Sequence, residues 1–557
     1  MDIKEKIKNW IKETLEIAEE VILVHPTNLE HGDFSWILPP LNIRPARNAL
    51  HCKAGGGGEG VLEKLNRNKL SEIDKIEFVA PRFINFYLSN DFFADSVKEI
   101  NKKGEEYGRN VLLKEKKFFI EHTQPNPFKE FHIGHLMNNA IGESIVRIVK
   151  ANGGDVKTAT YHGDVGLHVA KAVWAKQNKP ELNWGEAYAH GSTHYDENKD
   201  EVIGINKKIY DQIKGDIYNI YIEGREASLN SFESMYKKLD SQFDFHFYES
   251  EAGEMGKKIV LENVGKVFEE SDRAVIFRGE NFEPKTHTRV FLNSDGLPTY
   301  EAKEVGLAQI KKEIWPYDCS ITITANEQDA FFDVVEVAIG KVFPNLKGKL
   351  KHLSHGMLKL LTGKMSSRTG EVITAEALIS QVKEKVLEKI KDRNFDNTEK
   401  ENVAEVVAIG AIKYSILRQA IGGNIVFDFN KSISFEGDSG PYLQYTYTRA
   451  HSVLAKSEAL NSKFETKRPE NFKITEIEKY LYRFLGIVEK AGREFAPHLI
   501  VTYLIELASL FNSFYAKEKI IDENDPASSY KIALTSAVVH TLQNGLRLLG
   551  IKTLEKM

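Results

Sequence analysis

The spacing of apolar residues changes along this chain, and the changes mark out its parts. A charged amphipathic opening, Met1-Asp-Ile-Lys-Glu-Lys, predicts a helix over roughly Ile3 to Glu20. Ile76-Glu-Phe-Val79 and Phe83-Ile-Asn-Phe-Tyr-Leu88 flank Ala80-Pro-Arg82 and read as two strands around a turn. From Lys116 the pattern alternates. Phe118 to Ile120 is a short buried strand. Gly134 to Asn152 carries Leu136, Ala140, Ile141, Ile145, Ile148 and Val149 at helical spacing, and Gly153-Gly154 ends it. Asp155 to Tyr161 is the next strand. Such alternation implies a parallel sheet with right-handed crossovers. Ligands then sit at the carboxyl ends of the strands.

Roughly Val173 to Lys285 reads as a charged, helical insertion. Alternation returns with Thr288 to Leu292, Ser320 to Thr324 and His352 to Met357, and beyond about Leu378 the pattern is almost entirely helical to Met557. Three domains follow, over residues 1–110, 111–377 and 378–557, with no internal repeat. One stretch fits none of these patterns. Trp36 to Gly60 holds three prolines and the run Gly55-Gly-Gly-Gly58 without periodicity, between flanks rich in Lys, Glu, Ile and Asn. It reads as a flexible loop or, more sharply, as a local frameshift. In the latter case another reading frame of the gene encodes an amphipathic helix there.

Composition narrows the class. A chain of 557 residues exceeds one ordinary core, and 42% apolar with 28% charged residues suits a soluble globular protein. No run of eighteen apolar residues predicts a membrane span, and the opening has no signal-peptide core, so a cytoplasmic location is expected. Cys52 and Cys319 are the only cysteines, which excludes a disulfide framework and a Cys-rich zinc knuckle but leaves sites of His and carboxylate open. A net charge of −5 argues against a general nucleic-acid coat, so such a partner needs local basic faces. The stretch Lys383 to Arg393 could supply one, although its paired charges read first as a solvated helix face.

The candidate chemistry gathers at two motifs. The first is Phe118-Phe-Ile-Glu-His-Thr-Gln-Pro-Asn-Pro-Phe-Lys-Glu-Phe-His-Ile-Gly-His-Leu136, a strand, a Pro-broken turn and a step into a helix. It brings His132, His135 and the bare backbone of Gly134 to a helix N-terminus, a point suited to a triphosphate. Donors aimed at a reacting phosphate are worth about 3 kcal/mol each. The second motif, Lys364-Met-Ser-Ser-Arg-Thr-Gly370, follows Leu361-Thr-Gly363 in a polar loop, where a lysine can close over a leaving pyrophosphate.

Together the motifs resemble those of the class I aminoacyl-tRNA synthetases, which carry His-Ile-Gly-His and a Lys-Met-Ser-Lys-Ser loop. The finer resemblance is to the arginyl-tRNA synthetases. That family reads Ser-Pro-Asn-x-x-Lys-x-x-His-x-Gly-His, where this chain has Gln124-Pro-Asn-Pro-Phe-Lys-Glu-Phe-His-Ile-Gly-His135. His31-Gly-Asp-Phe34, Phe83 to Phe86, Tyr442 to Ser452, Leu507 to Tyr515 and the ending Leu549 to Met557 extend the likeness over most of the chain. The implied fold class is α/β: a Rossmann-like parallel-sheet catalytic domain, a small α+β N-terminal domain contacting tRNA, and an all-α C-terminal anticodon-binding domain.

The resemblance also implies roles. Lys129 would contact the ATP phosphates and compensate for Ser367, which stands where the second lysine of the loop is usual; Arg368 could share that charge. Lys364, Met365, Ser366 and Arg368 would close on ATP, and Gly134, Asp164 and Gly166 would lie beside the nucleotide. Arginine would be read by Glu121, Asn126, Tyr300, Glu304 and Gln328, with Glu304 replacing the family's aspartate. Guanidinium presents five donors in a fixed plane, and burying it requires matching acceptors. The implied reaction joins L-arginine to tRNA(Arg) through an arginyl adenylate made from Mg-ATP, on a monomer, with no enzyme nucleophile, no zinc, no other metal and no membrane partner. Tyr442, Tyr445 and Tyr447 stack anticodon bases or simply pack the helices. Rival readings fit less well. A cysteinyl enzyme needs a zinc site, a glutamyl or glutaminyl enzyme needs cationic groups for its amino acid, and a non-catalytic paralogue predicts ruined motifs.

Overall fold

Strand pairing near the N-terminus follows the turn at Ala80-Pro-Arg82. In the computed structural model, which describes residues 3–26, 28–38, 57–360, 373–470 and 472–557, this part comprises α1 (Ile3–Leu15), β1 (Leu23–Val24), β2 (Phe34–Ile37), α2 (Gly57–Arg67), β3 (Ile73–Val79), β4 (Phe83–Leu88) and α3 (Asn90–Lys103). The strands form an antiparallel sheet in the order β1-β2-β4-β3. Helix α1 buries Ile7, Trp10, Ile11 and Leu15. It stops earlier than its charge pattern predicts because Glu16 turns the chain through a left-handed φ of 49°.

Both ends of the irregular stretch Trp36 to Gly60 are regular structure, contrary to its reading as loop throughout. Trp36 is buried in β2. Gly57 to Gly60 open α2, where a Cβ on Gly58 would lie 2.1 Å from the ring of Phe78. Residues 39–56, on which the frameshift reading rests, lie outside the described residues.

The central part runs β5 (Lys117–Glu121), α4 (Ile133–Ala151), β6 (Asp155–His162), α5 (Leu167–Asn178), α6 (Trp184–Thr193), α7 (Lys199–Tyr210), α8 (Asp216–Lys238), β7 (Phe245–Tyr248), α9 (Glu249–Glu262), β8 (Glu269–Ser271), β9 (Ala274–Phe277), β10 (Arg289–Leu292), α10 (Tyr300–Ile314), β11 (Cys319–Ala325), α11 (Asp329–Val342), β12 (Leu350–His355) and β13 (Leu358–Leu360). The main sheet has the order β12-β11-β5-β6-β7, and every pair in it is parallel. The order of strands reverses about β5, and the crevice expected there opens between β5 and β11.

Two expectations need correcting. The stretch Val173 to Lys285 is not helical throughout. Phe245-His-Phe-Tyr248 pairs with β6 as the edge of the main sheet, and β8 and β9 form a second sheet. These strands are three or four residues long between charged helices, too short to disturb the helical pattern. Thr288 to Leu292 does not rejoin the parallel alternation; β10 pairs antiparallel with β9 in the order β10-β9-β8.

The last part is helical: α12 (Ala375–Ile390), α13 (Asn397–Leu417), β14 (Ile425–Phe427), α14 (Phe429–Ser432), α15 (Gly440–Ala459), α16 (Glu476–Leu481), α17 (Phe484–Glu494), α18 (Pro497–Lys517) and α19 (Ser528–Leu548). Strand β14 pairs with β13. Helix α18 is long and apolar enough by composition to cross a membrane, but here it buries Ile500, Val501, Leu504, Leu507 and Phe511 in the same core as α4.

Helices α9 and α10 cross at small residues. A Cβ on Gly256 would lie 1.9 Å from the carbonyl oxygen of Ala302, and one on Gly306 would lie 2.0 Å from that of Ala252. Backbone here has nowhere to retreat, so Gly306→Val should cost roughly 1–3 kcal/mol through overpacking and lower the melting temperature seen by circular dichroism. Unchanged melting would show that the two helices can separate freely.

Candidate active site

The turn between β5 and α4 is strained. Thr123, Gln124 and Phe128 have φ of 78°, 47° and 69°, values that non-glycine residues adopt only when their surroundings hold them. The surroundings are specific. Asn139 donates to the Thr123 hydroxyl at 3.1 Å, and the Phe128 N–H donates to Ser228 Oγ at 2.9 Å. Phe128 itself is buried against Trp184 and Tyr221.

At the helix N-terminus the two motif histidines cap the backbone for each other. His132 is the N-cap, and its Nδ1 accepts from the Gly134 N–H at 3.1 Å. Nδ1 of His135 accepts from the His132 N–H at 3.2 Å. A ring nitrogen that accepts carries no proton, so each neutral ring is protonated at Nε2. The rings stack with centroids 3.6 Å apart. Burial, with Lys129 close by, lowers the pKa of His132 to about 4. Burial, His132 and Lys129 push His135 well below the usual range. Both imidazoles are therefore neutral donors near pH 7, added to the positive end of a 19-residue helix. The Lys129 ammonium rests over the ring of Tyr188, 4.9 Å from its centre.

Asn126, predicted to read arginine, and Gly166 and Asp164, predicted beside the nucleotide, behave differently from one another. Asn126 Oδ1 accepts from the Gly163 N–H at 3.2 Å, and a Cβ on Gly163 would lie 2.4 Å from that oxygen. Gly166, at φ 120°, is the N-cap of α5. Asp164 is fully buried and its carboxylate is saturated: it accepts from Arg225 Nε at 3.0 Å, from the Ser250 hydroxyl at 2.8 Å and from the Ser250 N–H at 2.9 Å. It ties α8 and α9 to the cleft and has little capacity left for a ligand.

Acidic groups gather beside this turn. Glu121, 1% exposed, ends β5, accepts from Gln124 Nε2 at 2.5 Å and is ion-paired with Lys311. Glu304 lies one turn after Tyr300 on α10, and among the described residues no hydrogen bond or close ion pair holds it. Burial, with Glu121 adding repulsion, raises its pKa to about 8. The Tyr161 hydroxyl is buried without a partner among the described residues. Burial drives its pKa well up, helped by Glu249, Glu304 and Glu121. Tyr300 is half exposed at the mouth. Gln328 is exposed just beyond the end of β11, on the same edge of the sheet.

Three cleft residues were missed in the sequence: Glu249, Lys303 and Lys311. Glu249 and Lys303 form a buried ion pair at 2.5 Å. Glu249 directly follows β7, a position that signals a site once β7 is seen to be a strand of the main sheet. Lys303 and Lys311 carried no signal, since lysines on a charged helix read as solvated.

Lys364, Met365, Ser366, Ser367 and Arg368 lie outside the described residues. The chain on their downstream side returns to the first motif. The Ile133 N–H donates to the Ile373 carbonyl at 3.1 Å, and the Ala375 N–H donates to that of Phe131 at 2.8 Å. Backbone bonds thus bring the flank of the second motif to the first.

A sequence model described as the catalytic domain of class I tRNA synthetases (R) matches residues 96–429, and one described as the DALR anticodon binding domain matches residues 443–557. The chain belongs to the arginyl-tRNA synthetases of class I. An arginine–tRNA ligase of Borrelia hermsii is 32% identical over the whole of this chain and 99% of its own length. One from Clostridium botulinum is 27% identical, covering both chains fully. The arginyl-tRNA synthetase of Thermus thermophilus shares the fold, with a TM-score of 0.80 at 22% identity over 100% of both chains.

At the start of the DALR part of this synthetase, Tyr445, Arg449 and Met557 from that part, with Tyr442 and Arg393 from before it, line a cavity of about 440 Å³. The Arg449 guanidinium lies 4.7 Å from the centre of the Tyr445 ring. Tyr447 is instead buried and stacks on His451, a packing role.

Buried neutral histidines make the enzyme acid-sensitive. His122 and His162 are fully buried, and burial lowers both to about 4 from the ordinary 6.5. Between those values the unfolded chain takes up protons that the folded chain refuses, so stability is lost as pH falls. At pH 5.5 each histidine accounts for about 1.4 kcal/mol of that loss. The melting temperature should fall steadily from pH 7 to pH 5. A flat profile would mean that these rings are solvated.

Proposed function

We infer that the chain attaches L-arginine to tRNA(Arg) in two steps. The carboxylate of arginine attacks the α-phosphate of Mg-ATP, giving arginyl adenylate and pyrophosphate. A terminal ribose hydroxyl of the tRNA then attacks the activated carbonyl, giving arginyl-tRNA and AMP. The observation that carries this reading is the pair of neutral Nε2–H donors at a helix N-terminus, beside a turn where Glu121 is buried and the part-buried Glu304 carboxyl has no hydrogen-bond donor among the described residues.

His132 and His135 donate from Nε2 to the phosphates as charge builds in the transition state, with Gly134 leaving room for close approach. Neutral imidazoles serve this role without proton transfer, and their low pKa values keep them so. Lys129, within reach of His132, neutralises phosphate charge on leaving Tyr188, and Lys364 with Met365, Ser366 and Arg368 closes on the leaving pyrophosphate. Asp164 and Gly166 position the wall beside the nucleotide rather than bind it directly. Positioning and charge stabilisation suffice, so no covalent enzyme intermediate forms.

Glu121 and Glu304 read the guanidinium, while Asn126, Tyr300 and Gln328 orient the rest of the amino acid. The unfilled Glu304 carboxyl and the orphaned Tyr161 hydroxyl support this, because a guanidinium supplies the donors they lack. A neutral or smaller side chain leaves them unpaired, and discrimination by such a site reaches roughly 10⁴. The cavity of Tyr442 and Tyr445 offers aromatic faces and cations for an unstacked anticodon base. The enzyme acts as a monomer in the cytoplasm, with magnesium arriving on ATP and no zinc.

Pyrophosphate exchange into ATP tests the reading most directly. Among the twenty amino acids only arginine should support exchange, and only with tRNA present. Exchange with a different amino acid would overturn the pocket, and none at all would overturn the activity. Within that assay Glu121→Gln should raise the arginine KM strongly. Lys129→Ala should slow adenylate formation by roughly 10²-fold; an unchanged rate would move the phosphate contact to another cation.

A further inference from the structure

The stretch after α19 is held in place without regular structure. Gly550, at φ 66°, turns the chain, and the Ile551 N–H donates to the Leu546 carbonyl at 2.9 Å. Beyond Ile551 no backbone–backbone hydrogen bond holds this tail among the described residues. Side chains take up alternate carbonyls instead. Lys413, 1% exposed on α13, donates to the Gly550 carbonyl at 2.8 Å. Gln444 on α15 donates to that of Lys552 at 2.8 Å. The Thr448 hydroxyl lies 2.7 Å from that of Leu554 and 3.0 Å from that of Gln444 on its own helix. A Cβ on Gly550 would lie 3.1 Å from the Lys413 nitrogen, so glycine leaves room for this donor. Met557 is buried in the wall of the cavity that Tyr442, Tyr445 and Arg449 also line.

Lys413 has a second partner. The same nitrogen donates to the Leu239 carbonyl, directly after α8, at 2.7 Å. Burial, with Arg147 near, lowers its pKa to about 7, and either form of the amine carries the two protons that these carbonyls take. An apolar side chain fills buried space at less cost than an amine, so packing alone does not account for it. What the amine does is hold two carbonyls from distant parts of the chain. One follows the helix that seats the first-motif turn, and the other begins the tail. Resting on the reading of the cavity as the seat of an anticodon base, we propose that Lys413 is a positioning residue for tRNA recognition: with Gln444 and Thr448 it sets the register of the tail, and through it the place of Met557 in the cavity wall.

Helix α15 is the template. Gln444 and Thr448 stand one turn apart toward the tail, while Tyr445 and Arg449, each one residue on, line the cavity. Carbonyls at every second residue face one way in an extended chain, and a slip of one residue presents the other set. With Gly550, Lys552 and Leu554 all held, the tail has one register, and Met557 reaches the cavity over a fixed length of chain. Other polar contacts are weaker guides. Lys552 and Asp240 form an exposed pair at 3.5 Å, and Thr553 meets the Tyr447 hydroxyl through its side chain. Lys413 supplies the first hold and the one that also grips the end of α8. Without it the Gly550 carbonyl is unpaired and the tail can shift along α15.

The test is aminoacylation by the full chain, with KM for tRNA, arginine and ATP measured for the wild type and for Lys413→Met, Met557→Ala, Tyr445→Ala and the double variant of the first two. Lys413→Met should raise the tRNA KM about 10-fold. Its kcat and the other two KM values should stay near wild type, the signature of lost binding rather than lost chemistry. Met557→Ala should raise the tRNA KM as well. The double variant should be no worse than the worse single, because both changes remove one contact. A wild-type tRNA KM in Lys413→Met, a raised arginine KM there, an ineffective Met557→Ala or penalties that multiply would each overturn the proposal. Tyr445→Ala separates it from the reading it rests on. If that variant keeps the wild-type tRNA KM, the cavity binds no base; if it raises KM while Lys413→Met does not, the proposal alone fails. Should Lys413→Met not fold by circular dichroism, Thr448→Val takes its place. It keeps the branched shape and removes the hold on Leu554, so it must raise the tRNA KM without multiplying with Met557→Ala, or the proposal is wrong.

Discussion

Burial of helix α4 on all sides is the constraint on which the rest of the cleft depends. One side packs on the parallel sheet, where Gly142 has no Cβ because one would lie 2.2 Å from the ring of His122. The opposite side packs on the C-terminal helices: Ser144 donates to the Leu548 carbonyl at 2.9 Å and Arg147 to that of Arg547 at 3.1 Å. Asn152, just past its end, donates to the Val488 carbonyl at 3.0 Å. A helix held this way cannot rock, so the N-terminus that presents His132 and His135 stays aimed. The same core joins the sheet to the helical part, so the anticodon-side helices are packed directly on the back of the catalytic helix.

That rigidity gives the electrostatics their character. Much of the turn after β5 is buried, including Glu121, His122, Thr123 and Phe128. The histidines are neutral because burial opposes their charge and Lys129 stands near. Asp164 is held in place by Arg225 and Ser250. Donors held in place beforehand need no reorganisation when phosphate charge develops, which is how a site without a nucleophile can be effective. The left-handed residues Thr123, Gln124 and Phe128 belong to the same design, with backbone strain at the turn offset by the packing of Phe128 and the bonds of Asn139 and Ser228.

What the sequence made legible was local. The strand, the Pro-broken turn and the helix at 118–152 follow from apolar spacing and from Gly153-Gly154, and the histidines are visible because they stand at the seam. What stayed hidden depends on partners far along the chain. Asn138, Asn139, Glu143 and Ser144 look like the wet face of an amphipathic helix, yet all are buried, because Ser241, His355 and Leu548 meet them across a hundred residues or more. Strand β7 was lost among charged helices, and Glu249 with it. Lys303 and Lys311 on α10 show the same limit. Only the placement of Glu249 and Glu121 opposite them turns two ordinary helix lysines into buried counter-ions.

Glu304, where the family resemblance leads one to expect aspartate, shows how geometry and protonation are linked. The added methylene carries the carboxyl further from the α10 backbone than an aspartate would, and Glu121 is the charged group that acts on it most. Closer approach of two carboxyls in a dry cleft raises the cost of charging the second. The pKa of this carboxyl is accordingly raised to about 8. On this argument the glutamate is no defect in the pocket. On the reading proposed for this cleft, it favours a group that can pair with both carboxyls at once, and a planar guanidinium meets that condition where a single ammonium does not.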